Sequence, residues 1–78
     1  MRILAFGIVK EIFSDSMIDI DLNNESTVEA LKEHLEKQYP KLNELGSYMI
    51  AVNNEYASAG DIIHTNDEVA IIPPVSGG

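Results

Sequence analysis

Apolar residues near the start of the chain fall on both faces of an extended segment. Ile3, Ala5, Gly7 and Val9 share one face and Leu4, Phe6 and Ile8 the other, with Arg2 and Lys10 bracketing the run. Two apolar faces predict a central strand over residues 2–10. Turn formers between Lys10 and Ser16 lead into residues 17–22, where Ile18, Ile20 and Leu22 alternate with Asp19 and Asp21, the pattern of a half-buried strand hairpinned to the first. From Ser26 the period lengthens. Ser26 and Glu29 have capping-box spacing, and Val28, Leu31 and Leu35 form one stripe. Pro40 disfavours helical geometry in the residue before it, so this helix is expected to end near Tyr39.

Alternation then returns. Residues 47–53 predict a third strand, Asn53 and Asn54 a tight turn, and residues 55–57 a short fourth strand. Ile62 and Ile63 are expected to plug the core from a loop, residues 64–67 to turn the chain, and residues 68–72 to form the last strand. Two strands, one helix and further strands, with no internal repeat, predict an α+β fold. It has a mixed sheet of four to five strands and one main helix packed on one face. With the first and last strands adjacent at the centre, this is the β-grasp, or ubiquitin-like, arrangement. A ferredoxin-like sandwich needs a second helix that the pattern does not offer.

If the helix covers Ile3, Ala5 and Val9, then Leu4, Phe6 and Ile8 lie on the open face of the sheet beside Ala70 and Ile72. A contiguous apolar patch of that kind is seldom left unused on a soluble chain, so these residues are candidates for a partner interface. A register shifted by one residue would exchange the two faces.

At 78 residues the chain has room for one domain and a thin core, which argues against a self-sufficient enzyme with a deep cleft. The expected division is a domain over residues 1–72 and an extended tail over 73–78. The absence of cysteine removes disulfides, thiolate metal sites and a catalytic thiol, and fits a reducing compartment. Lys10 and Glu11 interrupt the first apolar run too early for a membrane span, and no small-residue cleavage site follows, so a cytoplasmic protein is expected. Thirteen acidic against five basic residues give a net charge of -8. That disfavours nucleic acid and phosphorylated small molecules and favours basic protein partners.

No metal or nucleotide site is expected. Asp19, Asp21, Asn23 and Glu25 supply alternate oxygens, but Asn24 and Ala30 stand where a calcium loop needs glycine and glutamate. His34 and His64 have no third ligand at metal spacing, and no glycine-rich phosphate loop precedes the helix.

The chain closes on PPVSGG. Pro73 and Pro74 cannot donate to a ladder and favour extended geometry, so the sheet stops there and a stiff segment projects. The six residues from Pro73 through Val75 and Ser76 to Gly78 reach at most about 20 Å. Gly77 and Gly78 would pass through a channel too narrow for other residues and leave a carboxylate as the reacting group.

At DEVAIIPPVSGG the chain resembles the small, sulfur-carrying subunits of molybdopterin synthase. LAFGIVKEI, STVEALKEHL and AVNNE carry the resemblance along the rest of its length. The resemblance implies a cycle. An adenylating enzyme of the ubiquitin-activator type uses ATP and Mg²⁺ to adenylate the Gly78 carboxylate, and sulfur from a donor protein displaces AMP to leave a thiocarboxylate. The tail then enters the large, catalytic subunit of the synthase, where cyclic pyranopterin monophosphate receives two sulfurs, one per carrier. On this likeness the carrier binds no cofactor stably and is no enzyme on its own. The resemblance also implies a partner surface at Phe6, Lys10 and Ile72; the family often has an aromatic ring where Ile72 stands, so stacking is lost there. A sulfur carrier of thiamine biosynthesis, a ubiquitin-like protein modifier and a plain β-grasp interaction domain remain as alternatives.

Overall fold

The computed structural model describes residues 1–21 and 26–74. Its elements are β1 (Arg2–Ala5), α1 (Ile8–Phe13), β2 (Met17–Asp19), β3 (Ser26–Thr27), α2 (Val28–Gln38), a 3₁₀ segment (Pro40–Leu45), β4 (Met49–Val52), β5 (Glu55–Tyr56), β6 (Ile62–Ile63) and β7 (Glu68–Ile72). Five strands form one sheet in the order β2-β1-β7-β4-β5, and β3 pairs with β6 separately. β1 and β7 are parallel neighbours at the centre, and the other pairs are antiparallel. A hairpin, a crossover through α2 and a last strand returning beside the first make this a β-grasp, as the alternation of periods predicts.

The first strand is shorter than residues 2–10. Gly7 adopts φ 56°, ψ -131°, open in practice only to glycine, and the chain turns there from strand into helix. Val9 and Phe13, four residues apart, are buried from α1, with Ile12 packed against the core beside them. The burial expected of Val9 is therefore met from a helix, and Ile8 and Lys10 are exposed on α1 instead of standing on a strand. Ser14, at φ 61°, closes the helix, and the Asp15 amide donates back to the Lys10 carbonyl.

The helix cap also differs by one residue. The Thr27 hydroxyl, not Ser26, accepts from the Ala30 amide at 3.1 Å, while Ser26 pairs with Ile63 across β3 and β6. Ile62 and Ile63 thus belong to a strand pair, with Ile63 fully buried and Ile62 exposed. Leu22, expected to face inward, lies outside the described residues.

Ile3, Ala5, Ile50, Val69 and Ile71 point from the sheet into the core and meet Val28, Leu31 and Leu35 of α2. Leu42 of the 3₁₀ segment closes one end. Burying this stripe is what holds an 11-residue helix in place, since helices of that length are marginal alone. Tyr48 stands at the edge of the core, its hydroxyl donating to Glu36 and its ring under the Lys32 ammonium at 4.8 Å. Burial, followed by the hydrogen bond to Glu36 and that carboxylate's charge, pushes the Tyr48 pKa well above the ordinary tyrosine range.

Candidate functional site: the open sheet face and the base of the tail

Because side chains alternate across a strand, covering one face of the sheet leaves the other free. Register aligns the free side chains into rows. Leu4 pairs with Met17 and with Ala70, Ala70 with Ala51, and Ala51 with Tyr56, giving one line across all five strands. Toward the tail, Ile72 pairs with Met49, and Phe6 follows β1. Toward the other end, Arg2 lies between Asp19 and Glu68. The face is therefore polar at one end and apolar where the chain leaves β7 for Pro73.

A shallow depression of about 310 Å³ occupies this face. Its apolar lining comes from Leu4, Phe6, Ala51, Tyr56, Ala70 and Ile72, and its polar members are Asn54 and Glu68. Phe6 keeps 47% of its surface exposed and Tyr56 67%. Leu4, Phe6, Ala70 and Ile72 thus come together as the sequence predicts, and Ile8, on α1, is not among the lining residues. Ala51, Asn54, Tyr56 and Glu68 are additions. The signal for Ala51, Asn54 and Tyr56 was the Asn53–Asn54 turn, which folds β5 back along β4 and sets Tyr56 beside Ala51, and the signal for Glu68 was its alternation with Ala70 and Ile72 on β7.

The tail leaves from a specific contact. An added Cβ at Gly7 would stand 3.1 Å from Pro73 Cγ, so the glycine forms a notch against which the first proline rests. Pro73 is partly buried and Pro74 exposed. Val75, Ser76, Gly77 and Gly78, the predicted reactive tail, lie outside the described residues.

A polar clasp holds the hairpin end of the face. Asn53 and Asn54 have φ 52° and 69°, positive at both positions as a type I′ turn requires. The Asn53 amide nitrogen donates to Asp67 and its oxygen accepts from the Glu68 amide, each at 3.0 Å. The His64 backbone N–H also donates to Asp67, at 2.8 Å, and with Asn53 it holds that carboxyl below the usual carboxylate range. His64 is tied to this turn, and His34 is half-buried on α2. Among the described residues no group of three metal-ligating side chains is assembled, and no helix is long and apolar enough to cross a membrane.

A sequence model of the ThiS family matches residues 3–78. The chain belongs to the ThiS family. Among curated relatives, this ThiS-family chain is 48% identical to the molybdopterin synthase sulfur carrier subunit of Dictyostelium discoideum, over 99% of its own length and 94% of that protein's. Among solved structures it is similar to SAMP1 from Haloferax volcanii, with a TM-score of 0.81 and 26% identity over 99% of this chain and 97% of that one. It shares its fold with a chain in the complex of subunits 1 and 2 of molybdopterin-converting factor from Helicobacter pylori, at a TM-score of 0.68 and 23% identity over 99% of this chain and 96% of that one.

Proposed function

We propose that this ThiS-family chain is the sulfur-carrier subunit of molybdopterin synthase, a non-catalytic partner whose tail brings sulfur to the large subunit. The end-to-end likeness to the Dictyostelium sulfur carrier subunit carries this reading. The geometry supports it: an apolar docking face lies beside the point where the tail departs. A partner seated on that face receives the tail at a defined place, which converts delivery into an intramolecular event.

In this reading a Gly78 carboxylate oxygen attacks the α-phosphorus of ATP on the activating enzyme. An acyl-adenylate forms and pyrophosphate leaves, with Mg²⁺ serving that enzyme. Hydrosulfide, or its equivalent from a sulfur donor protein, adds to the acyl carbon. AMP departs with the C–O bonding pair, leaving the thiocarboxylate. The thiocarboxylate sulfur then displaces an oxygen leaving group from a carbon of cyclic pyranopterin monophosphate in the large subunit, and water adds to the acyl carbon, so that the C–S bonding pair leaves with the sulfur and the Gly78 carboxylate is regenerated. This chain contributes the reacting carboxylate, two glycines slim enough for a narrow channel, and the docking face. Its acidic body repels the phosphorylated pterin, so anion binding belongs to the large subunit.

Intact mass after incubation with the activating enzyme, ATP, Mg²⁺ and sulfide tests the proposal. A gain equal to one oxygen exchanged for one sulfur, lost on deletion of Gly78, is expected. No gain, with the same enzyme competent on another carrier, would refute it. Conjugates on gels in place of that gain would identify a protein modifier.

A further inference from the structure

Among the described residues, the depression on the open face has one ionic group in its lining. Glu68 stands at the polar end of a lining otherwise made by Leu4, Phe6, Ala51, Tyr56, Ala70 and Ile72, with Asn54 as its neutral polar member. Its backbone is fully engaged, the amide donating to Asn53 Oδ1 and the carbonyl accepting from the Asn53 amide. Among the described residues its carboxylate has no hydrogen-bond or ion-pair partner, although Arg2 is its register neighbour on β1.

We infer that the depression receives an arginine side chain from the large subunit that takes the tail. The inference rests on the carrier reading above and adds the chemistry of the contact. Ala51 and Ala70 are short side chains on adjacent strands, so the floor between β4 and β7 is open to an alkyl stem. Tyr56 and Phe6, both exposed, line it and supply aromatic rings of the kind on which a guanidinium stacks. Glu68 supplies the carboxylate that the planar fork of arginine binds through two parallel hydrogen bonds.

The alternatives fit less well. A purely apolar knob would desolvate Glu68 with nothing to pair it. Lysine would neutralise the charge without stacking on the rings. An acidic group would meet both Glu68 and a chain of net charge -8.

Calorimetric titration of the intact carrier with the large synthase subunit tests the inference. The variants are Glu68→Gln, Tyr56→Leu, and Glu33→Gln as a charge-matched control on α2, which packs on the other face of the sheet. Glu68→Gln is expected to weaken binding on the order of thirtyfold, chiefly by faster dissociation, as loss of one partner of a desolvated charge pair does. Glu33→Gln is expected to stay within about twofold, since a distant surface charge acts only through the general field. Tyr56→Leu, which keeps the apolar surface but not the ring, is expected to cost several-fold. Glu68→Gln binding as tightly as the unaltered chain would overturn the inference, as would its unfolding, which would make Glu68 structural. Unchanged affinity in Tyr56→Leu would remove the arginine stack and overturn the assignment to that residue. If the unaltered carrier itself failed to bind, the carrier reading would fall and this inference with it.

Discussion

Replacing Phe6 by alanine tests the proposed docking face apart from folding, because this ring is only half buried in the free chain. Full burial of a phenylalanine side chain is worth about 1.5–3 kcal/mol relative to leaving it in water. Phe6 is 47% exposed, so roughly half of that, about 1 kcal/mol, is at stake in the free chain. For a domain of this size such a loss lowers the thermal midpoint by about 4–8 °C. On the proposed reading the exposed half is covered when the large subunit docks, and its loss there weakens affinity about fivefold from area alone, or about thirtyfold if the ring is a hot spot. Phe13 provides the contrast. It is 5% exposed and packs on Tyr39 with ring centroids 4.5 Å apart, so Phe13→Ala is expected to cost about 3–5 kcal/mol. That is a large part of the roughly 4–12 kcal/mol that a chain of this length commands. Circular dichroism melts and calorimetric binding to the large subunit, run on both variants, make the comparison. A Phe6→Ala melt that collapses as far as Phe13→Ala would show that Phe6 is a core residue and would refute the assignment of the open face.

Other outcomes follow from the cap, the clasp and the buried phenol. Thr27→Ala is expected to lower stability by about 1 kcal/mol and Ser26→Ala by much less, in urea melts, because only Thr27 accepts from the helix amides. Asn53→Gly tolerates the positive φ yet loses both side-chain hydrogen bonds, so a loss of about 1–2 kcal/mol is expected; no loss would mean that the clasp contributes nothing. The folded-state pKa of Asp67 is depressed, so the stability it adds is present above the ordinary carboxylate range and fades as pH falls through it. Asp67→Asn should therefore flatten the acid limb of the stability profile. Folding raises the Tyr48 pKa, so its contribution is intact below about pH 10 and is lost as pH climbs above that value. Tyr48→Phe is expected to reduce the alkaline loss of stability, and an unchanged alkaline limb would refute the phenol's role.

Where periodicity was strong and unbroken, the elements could be read from the chain itself. Residues 68–72 and the 28–31–35 stripe are strand and helix as expected, because their burial patterns admit one period each. The first segment was ambiguous. Apolar residues at 3, 4, 5, 6, 8 and 9 read as one two-faced strand, and only a glycine with positive φ divides it. Val9, Ile12 and Phe13 already carried a helical spacing, but the run of alternation before them masked it. At the cap, Ser26 and Thr27 are chemically equivalent, and the choice is made by pairing with Ile63, far along the chain. The same holds for the open face. Leu4, Phe6 and Ile72 were visible as outward apolar positions, and Glu68 shares their face by alternation with Ala70 and Ile72, whereas Tyr56 joins them only once the Asn53–Asn54 turn lays β5 along β4 in one register.

The contact between Gly7 and Pro73 has a temporal side. It joins the end of β1 to the end of β7, and nearly the whole domain lies between them in sequence. Pairings of such long separation carry a large loop-closure cost that no local contact offsets. The notch that seats the tail therefore exists only once the final strand has slotted between β1 and β4. A chain caught before that step has its glycines but no fixed base from which to aim them, and no assembled face to hold an enzyme in place. On the proposed carrier reading, readiness to be charged is in this way tied to maturity of the fold.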